Sequence, residues 1–121
     1  MGLGQRSNRF KRESRLLTAR DFRFVFEDPK RTGSKYLTVL ARANGHNYAR
    51  LGLIVSKKTA KRAVDRNRIK RLARESFRLN QDLLRGLDVV VLAKRGISER
   101  ENSEIFSDLA KHWKRLTRCK N

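Results

Sequence analysis

Six consecutive residues, Asp88-Val89-Val90-Val91-Leu92-Ala93, limit the architecture more than any other stretch of the chain. The run lacks the polar alternation of a strand with one wet face, so it reads as a strand buried on both faces. Such a strand asks for a sheet with helices packed on it. The flanking segments supply both. Thr18-Ala19-Arg20-Asp21 has the form of a capping box, and the helix it opens carries Phe22, Val25 and Phe26 on one side. Asp28-Pro29 ends that helix, because proline disfavours helical backbone in the residue before it. Tyr36 to Arg42 and Arg50 to Ser56 are rich in β-formers, and Asn44-Gly45 between them predicts a hairpin turn in a loop longer than two residues.

A second helix is expected from about Val64 to Leu84, with Gly86 as its stop. Ser98-Glu99-Arg100-Glu101 has the form of another capping box. It would open a last helix with Ile105, Phe106, Leu109, Ala110, Trp113 and Leu116 at helical spacing. The predicted order is α-β-β-α-β-α, an α/β (α+β) two-layer sandwich. All 121 residues then form a single domain. Residues 1–15 read as a flexible basic arm and 117–121 as a frayed tail.

Charge narrows the partners. The chain holds 31 Lys and Arg against 12 Asp and Glu, a net charge of +19. An excess of that size repels itself in a compact state, so a polyanion is the expected ligand. Nucleic acid comes first, since each neutralised phosphate releases a condensed counterion; an anionic membrane comes second. No apolar run approaches the ~20 residues of a membrane-spanning helix. The N-terminal stretch has no apolar core of the kind a signal peptide needs. Cys119 is the only cysteine, so an internal disulfide is impossible, and it reads as an incidental thiol in the tail. A cytoplasmic protein with no membrane partner fits best.

The charge is densest from Lys57 to Arg78, where ten basic residues face only Asp65 and Glu75, a net charge of +8. Helical phasing sorts this segment. Ile69, Leu72, Ala73, Ser76, Leu83 and Leu84 fall on one side and would pack on the sheet. Asn67, Lys70, Arg71, Arg74 and Arg78 fall on the other, with Arg66 and Arg68 on either edge of the apolar stripe. Surface helices normally interleave both signs of charge, whereas a wall of guanidinium and ammonium groups suits phosphate. The phase breaks before Asp65. Either the regular helix starts there, with Asp65 as N-cap, or its first turn packs on a different surface.

Three stretches together resemble the signature of the bacterial ribonuclease P protein subunit. They are Ser56-Lys57-Lys58, Ala63-Val64-Asp65-Arg66-Asn67-Arg68-Ile69-Lys70-Arg71, and Arg74-Glu75-Ser76-Phe77-Arg78. Arg15-Leu16-Leu17 with Asp21-Phe22 and Val25-Phe26 looks like that family's first helix. Leu51-Gly52-Leu53-Ile54-Val55 and Asp88 to Lys94 look like its later strands. The similarity runs over about residues 9–116, with Lys61-Arg62 adding charge where many relatives carry glycine.

The resemblance implies a protein cofactor of a catalytic RNA, in a ribonucleoprotein that removes the 5′ leader of precursor tRNA. It implies that the RNA performs the hydrolysis with Mg2+ bound mainly by the RNA. It also implies a left-handed βαβ crossover. By position, Arg66, Asn67, Arg68, Lys70, Arg71, Arg74 and Arg78 would contact the ribonuclease P catalytic RNA. Phe22, Phe26, Tyr36, Ser56, Lys57 and Lys58 would line a cleft for the single-stranded leader. Aromatics in such a cleft stack on unpaired bases without demanding a sequence.

No protein active site is expected. His46 in the predicted hairpin loop and His112 on the last helix have no Ser, Cys or acid at a telling offset, and both read as surface residues. No acids are paired, and no metal-ligand spacing is present, so neither a catalytic nor a metal site is assigned to the chain. A ribosomal protein would share size, charge and fold class but bind a different RNA. A DNA reader is disfavoured, because no helix-turn-helix pairing surrounds the basic segment; no DNA partner is expected.

Overall fold

The computed structural model describes residues 14–118. Most of the expected basic arm, and Cys119 with the end of the expected tail, lie outside them. The described elements are α1 (Ala19–Glu27), β1 (Lys30–Gly33), β2 (Leu37–Ala43), β3 (Arg50–Ile54), α2 (Ala63–Leu79), β4 (Leu87–Ala93), a 3₁₀ turn (Ile97–Glu99) and α3 (Asn102–Arg118). They build an α+β sandwich on one mixed sheet of order β1-β2-β4-β3.

β4 takes the interior position its sequence calls for. It pairs antiparallel with β2 and parallel with β3. Val89 and Val91 point into a core shared with Ile69, Phe77, Leu109 and Trp113 of α2 and α3. Val90 points the other way, into a smaller core with Leu16, Val25 and Leu40 under α1. The main layer is therefore α2 and α3, and α1 covers part of the opposite face.

That arrangement corrects the hairpin expectation. β2 and β3 are not neighbours, because β4 inserts between them. The Asn44-Gly45 turn survives in a wider loop: Gly45 has φ +77°, and the Asn44 side chain accepts from the His46 amide at 2.7 Å. β1 was not expected at all. Lys30-Arg31-Thr32-Gly33 shows no apolar alternation, since it is a short, largely exposed edge strand held by register with β2.

The ends of the sheet are tied by charge. Asp88 is wholly buried and accepts from Arg50 Nε at 2.8 Å, Arg50 Nη2 at 2.6 Å and Asn44 Nδ2 at 2.8 Å. A buried carboxylate is tolerated only when paired in this way. Arg50 also lies 3.9 Å from Asp21. Asp21 completes the expected capping box, accepting from the Leu17 and Thr18 amides at 2.9 and 3.1 Å while Thr18 Oγ1 accepts from Asp21 N at 3.2 Å. Those amide bonds hold the Asp21 pKa below the usual carboxylate value, helped by Arg50.

Boundaries shift at both basic ends. Ser14 is buried, Arg15 bridges Leu51 in parallel register, and Leu16 N donates to Leu51 O at 3.0 Å, so the expected arm is fixed to the edge of β3 from Ser14 onward. Thr117 and Arg118, expected in the tail, complete α3.

α2 stops at Leu79 instead of Leu84. Asn80 closes it, its amide donating to Phe77 O at 2.9 Å and its side chain to Ser76 O at 2.7 Å. Leu84 still reaches the core through the following turns, but Leu83 is left exposed. Trp113 donates to Ser76 Oγ at 2.8 Å, which explains a serine on the apolar stripe. Phe77, which the stripe omitted, is fully buried, with its ring edge-on to Trp113. At the other end Arg62 is the N-cap and Asp65 lies in the first turn, which settles the two openings left by the phase break. Ser98-Glu101 forms no capping box, because a 3₁₀ turn takes its place and α3 begins at Asn102.

His112 overturns its surface assignment. It is buried between α3 and β1, with Nδ1 3.2 Å from Thr32 Oγ1 and Nε2 3.0 Å from Ser34 Oγ. Burial lowers its pKa; Asp108 opposes that shift, and Arg115 and Lys94 add to it. The neutral ring is thus favoured by folding. Stability is complete above the ordinary imidazole pKa, about 6.5, and is lost as pH falls below it. Urea midpoints should drop between pH 7 and pH 5, and His112→Gln should flatten that drop. A second test uses Gly52, where a Cβ would come within 2.5 Å of Phe22 Cε1. Gly52→Ala should cost about 1–3 kcal/mol by overpacking in urea unfolding, and Phe22→Ala should relieve much of that cost.

Candidate nucleic-acid interface

Asn67, Lys70, Arg71 and Arg74 recur at i, i+3, i+4 and i+7, so they form one row along α2 about 10 Å long. The opposite face, with Ile69, Ala73, Ser76 and Phe77, is spent on the core. None of the four side chains in the row hydrogen-bonds or ion-pairs with another described residue. Their donors are left for solvent or an anion.

The flanking arginines behave differently. Arg66 Nη1 donates to Ala60 O at 2.9 Å and Lys61 O at 2.8 Å, holding the turn that precedes α2. Arg68 reaches across to the start of α3. Its Nη2 donates to Ser98 O at 2.8 Å, and its Nη1 donates to Arg100 O at 3.3 Å and to Asn102 Oδ1. Arg78 pairs with Glu75 one turn back, which holds the Glu75 pKa down. Of the seven basic-motif residues read from the sequence, four form the open row, and Arg66, Arg68 and Arg78 are engaged within the fold.

The expected cleft residues divide as well. Phe22 lies against Gly52 and Leu16 and lines a cavity of about 320 Å³ with Leu17, Lys70 and Arg74. One aromatic and two cations of the row therefore share a wall, joining what the sequence had kept apart. Phe26, one turn further along α1, is 44% exposed. Ser56, Lys57 and Lys58 are exposed in the turn after β3, where Ser56 Oγ accepts from Thr59 N at 3.2 Å.

Tyr36 is not brought to this cleft. It precedes β2, accepts at its carbonyl from Lys94 N at 2.9 Å, and packs its ring by Gly96 with the Arg100 guanidinium 5.3 Å from its centroid. That is the α3 side of the sheet, where Tyr36 packs against the main core; β2 starts one residue later than expected, so Tyr36 lies outside its alternation.

The sequence reading missed Arg15 and Leu17 as cleft residues. A signal was present: Leu17 and Phe22 occupy the two positions of a hydrophobic staple around the Thr18 cap.

A sequence model of the family Ribonuclease P matches residues 10–117. The Ribonuclease P protein component of Pseudomonas putida is 52% identical over 115 residues, covering 94% of this chain and 86% of that protein. The corresponding protein of Pseudomonas aeruginosa is 51% identical over 113 residues, 93% of this chain and 84% of its own length. Among solved structures, the RNase P protein from Thermotoga maritima, in complex with a fluorophenyl thiourea, superposes with a TM-score of 0.76 at 35% identity, over 83% of this chain and 97% of that one.

Two substitutions separate the roles within the motif. Arg68→Ala should lower unfolding free energy by about 1.5–3 kcal/mol, the scale of bonds to a charged donor. Arg71→Ala should leave stability within about 0.5 kcal/mol. It should instead reduce the salt slope of RNA binding by ~0.7–0.9. Urea unfolding and salt-dependent RNA titration of both variants make the comparison, and an unchanged slope for Arg71→Ala would remove α2 from the interface.

Proposed function

The chain belongs to the Ribonuclease P family, and on that premise we propose that it is the protein subunit of a ribonuclease P ribonucleoprotein. It binds the catalytic RNA and the 5′ leader of precursor tRNA, and so promotes endonucleolytic formation of the mature tRNA 5′ end. The observation that carries the RNA-binding part is the open row Asn67, Lys70, Arg71 and Arg74, whose donors have no described protein partner on a helix with an otherwise buried face.

The same proposal divides the labour between protein and RNA. Among the described residues, no three His, Cys, Asp or Glu side chains converge as a metal site. The acids that could contribute are largely engaged: Asp88 with Arg50, Asp21 with the α1 cap, Glu75 with Arg78. These residues do not fit the magnesium of the reaction, which is assigned to the RNA along with the hydrolytic step. The protein's part is positional. The α2 row neutralises phosphates of the catalytic RNA and releases counterions. The leader enters beside Phe22, where a base can stack and Lys70 or Arg74 can meet the neighbouring phosphate. Lys57 and Lys58 extend the cationic path beyond the end of β3. No described helix is long and apolar enough to cross a membrane, and a cytoplasmic location is part of this reading.

Reconstitution tests it. Added to a bacterial ribonuclease P RNA at low magnesium, the protein should raise the rate of precursor-tRNA cleavage, and absence of stimulation would overturn the assignment. Phe22→Ala should weaken precursor tRNA binding more than mature tRNA binding; equal losses would mean that the ring serves packing alone.

A further inference from the structure

The edge of the sheet furthest from β3 carries a second concentration of charge. Lys30 to Lys35 contains Lys30, Arg31 and Lys35 and no acid; Ala110 to Arg118 contains Lys111, Lys114, Arg115 and Arg118 and no acid. The fold puts these two segments together. Arg115 Nη1 donates to Thr32 Oγ1 at 3.4 Å, and His112 of α3 sits between Thr32 and Ser34. Lys111, Arg115 and Arg118 follow one another at i, i+4 and i+7 along α3, and all three are exposed.

The nearest acids are occupied. Asp108 accepts from Ser34 Oγ at 2.6 Å and lies 3.6 Å from His112, and Glu104 lies 3.6 Å from Arg100. Two ordinary explanations cover only part of this. Cations favour a helix C-terminus, which accounts for Arg115 and Arg118. Charged side chains keep an edge strand from pairing, which accounts for Lys30 and Arg31. Neither accounts for Lys35 and Lys111.

Lys35 and Lys111 flank a cavity of about 380 Å³ whose walls include Tyr36, Leu37, Ile97, Ile105 and Arg100, together with the occupied acids Glu104 and Asp108. The size falls in the range of small-ligand sites. Arg100 adds its guanidinium to the wall, with Nη1 3.6 Å from Glu104. A largely apolar slot beside a tyrosine and a guanidinium, with cations at its mouth, matches what an unpaired nucleotide presents: a flat ring, and a phosphate on either side.

We infer that the β1–α3 edge is a second site for single-stranded RNA, taking one base into the Tyr36–Arg100 cavity and the adjoining phosphates along Arg31, Lys35, Lys111, Arg115 and Arg118. It lies on the sheet edge opposite β3, so the α2 row and this edge can hold two RNA segments at once.

The probe is a fluorescent oligouridylate of about 12 nucleotides, within the usual site sizes of such surfaces. Stoichiometry comes from native mass spectrometry and affinity from anisotropy across a salt series, with the full chain. The unaltered protein should bind two oligonucleotides. Arg31→Ala, Lys111→Ala and Arg118→Ala combined should bind one, as should Lys70→Ala with Arg74→Ala, and all five together none. In the Lys70/Arg74 background, Tyr36→Leu should weaken oligouridylate about tenfold, the loss of one stack, while leaving an abasic chain of equal length unaffected. One oligonucleotide on the unaltered protein, or two retained by the Arg31/Lys111/Arg118 variant, would overturn the second site. Equal binding of abasic and base-bearing chains in the Lys70/Arg74 background would overturn the base-binding cavity. Loss in the Lys70/Arg74 variant bears only on the α2 surface, so the two surfaces are judged separately.

Discussion

Two-sided burial of β4 is the constraint from which the other packing follows. Val89 and Val91 need one apolar layer and Val90 needs another, so neither face of the sheet centre can remain wet. α2 and α3 supply the first layer, with the Trp113–Phe77 contact at its middle. The second is smaller, made by Val25 of α1 with Leu16. Leu16 is held there by its amide bond to Leu51. Fixing Leu16 also fixes Leu17 and Phe22 over the β3 edge, so the shape of the cleft is a consequence of how the second face of β4 is covered.

A chain this basic must use its few carboxylates with care. Asp88 is placed where a charge costs most, in the wholly buried start of β4, and Arg50 and Asn44 satisfy it there. Through Arg50 the same carboxylate is linked to Asp21 and the cap of α1. Several cations are also absorbed by carbonyls instead of acids: Arg66 by Ala60 and Lys61, Arg68 by Ser98 and Arg100, Lys94 by Ser34. Carbonyl partners let the fold hold arginines without spending acids. The Arg66-Asn67-Arg68 motif is therefore two structural anchors around one open amide, and along α2 the open charge begins at Lys70.

Elements with strong periodicity were legible in the sequence. The Val89–Val91 run, the Thr18-Asp21 cap and the apolar face of α3 all carry local patterns that tertiary contacts did not need to override. What failed was non-local. Adjacency of β2 and β3 looked settled by Asn44-Gly45, yet β4, more than 40 residues further on, takes the place between them. β1 has no pattern of its own and exists through pairing with β2. His112 has polar chemistry at an apolar position, and only the arrival of Thr32 and Ser34 from β1 and its turn makes its burial tolerable. The candidate site was legible in composition but not in commitment. Phasing separated Asn67, Lys70, Arg71 and Arg74 from the packed face of α2, but it omitted Phe77 and could not tell that Arg68 would reach carbonyls some 30 residues away.

Electrostatics gives a reason for the placement of the two basic surfaces. Self-repulsion grows as like charges crowd, and it is screened beyond about 8 Å at physiological ionic strength. β1 and β3 are the two edges of the sheet, separated by three strand spacings of ~4.8 Å. At ~14 Å the charges on one edge are largely screened from those on the other. Within each surface the repulsion remains, and it is relieved only when a polyanion neutralises that surface. Each surface is thus a separate store of unfavourable charge, and binding on one does little to discharge the other.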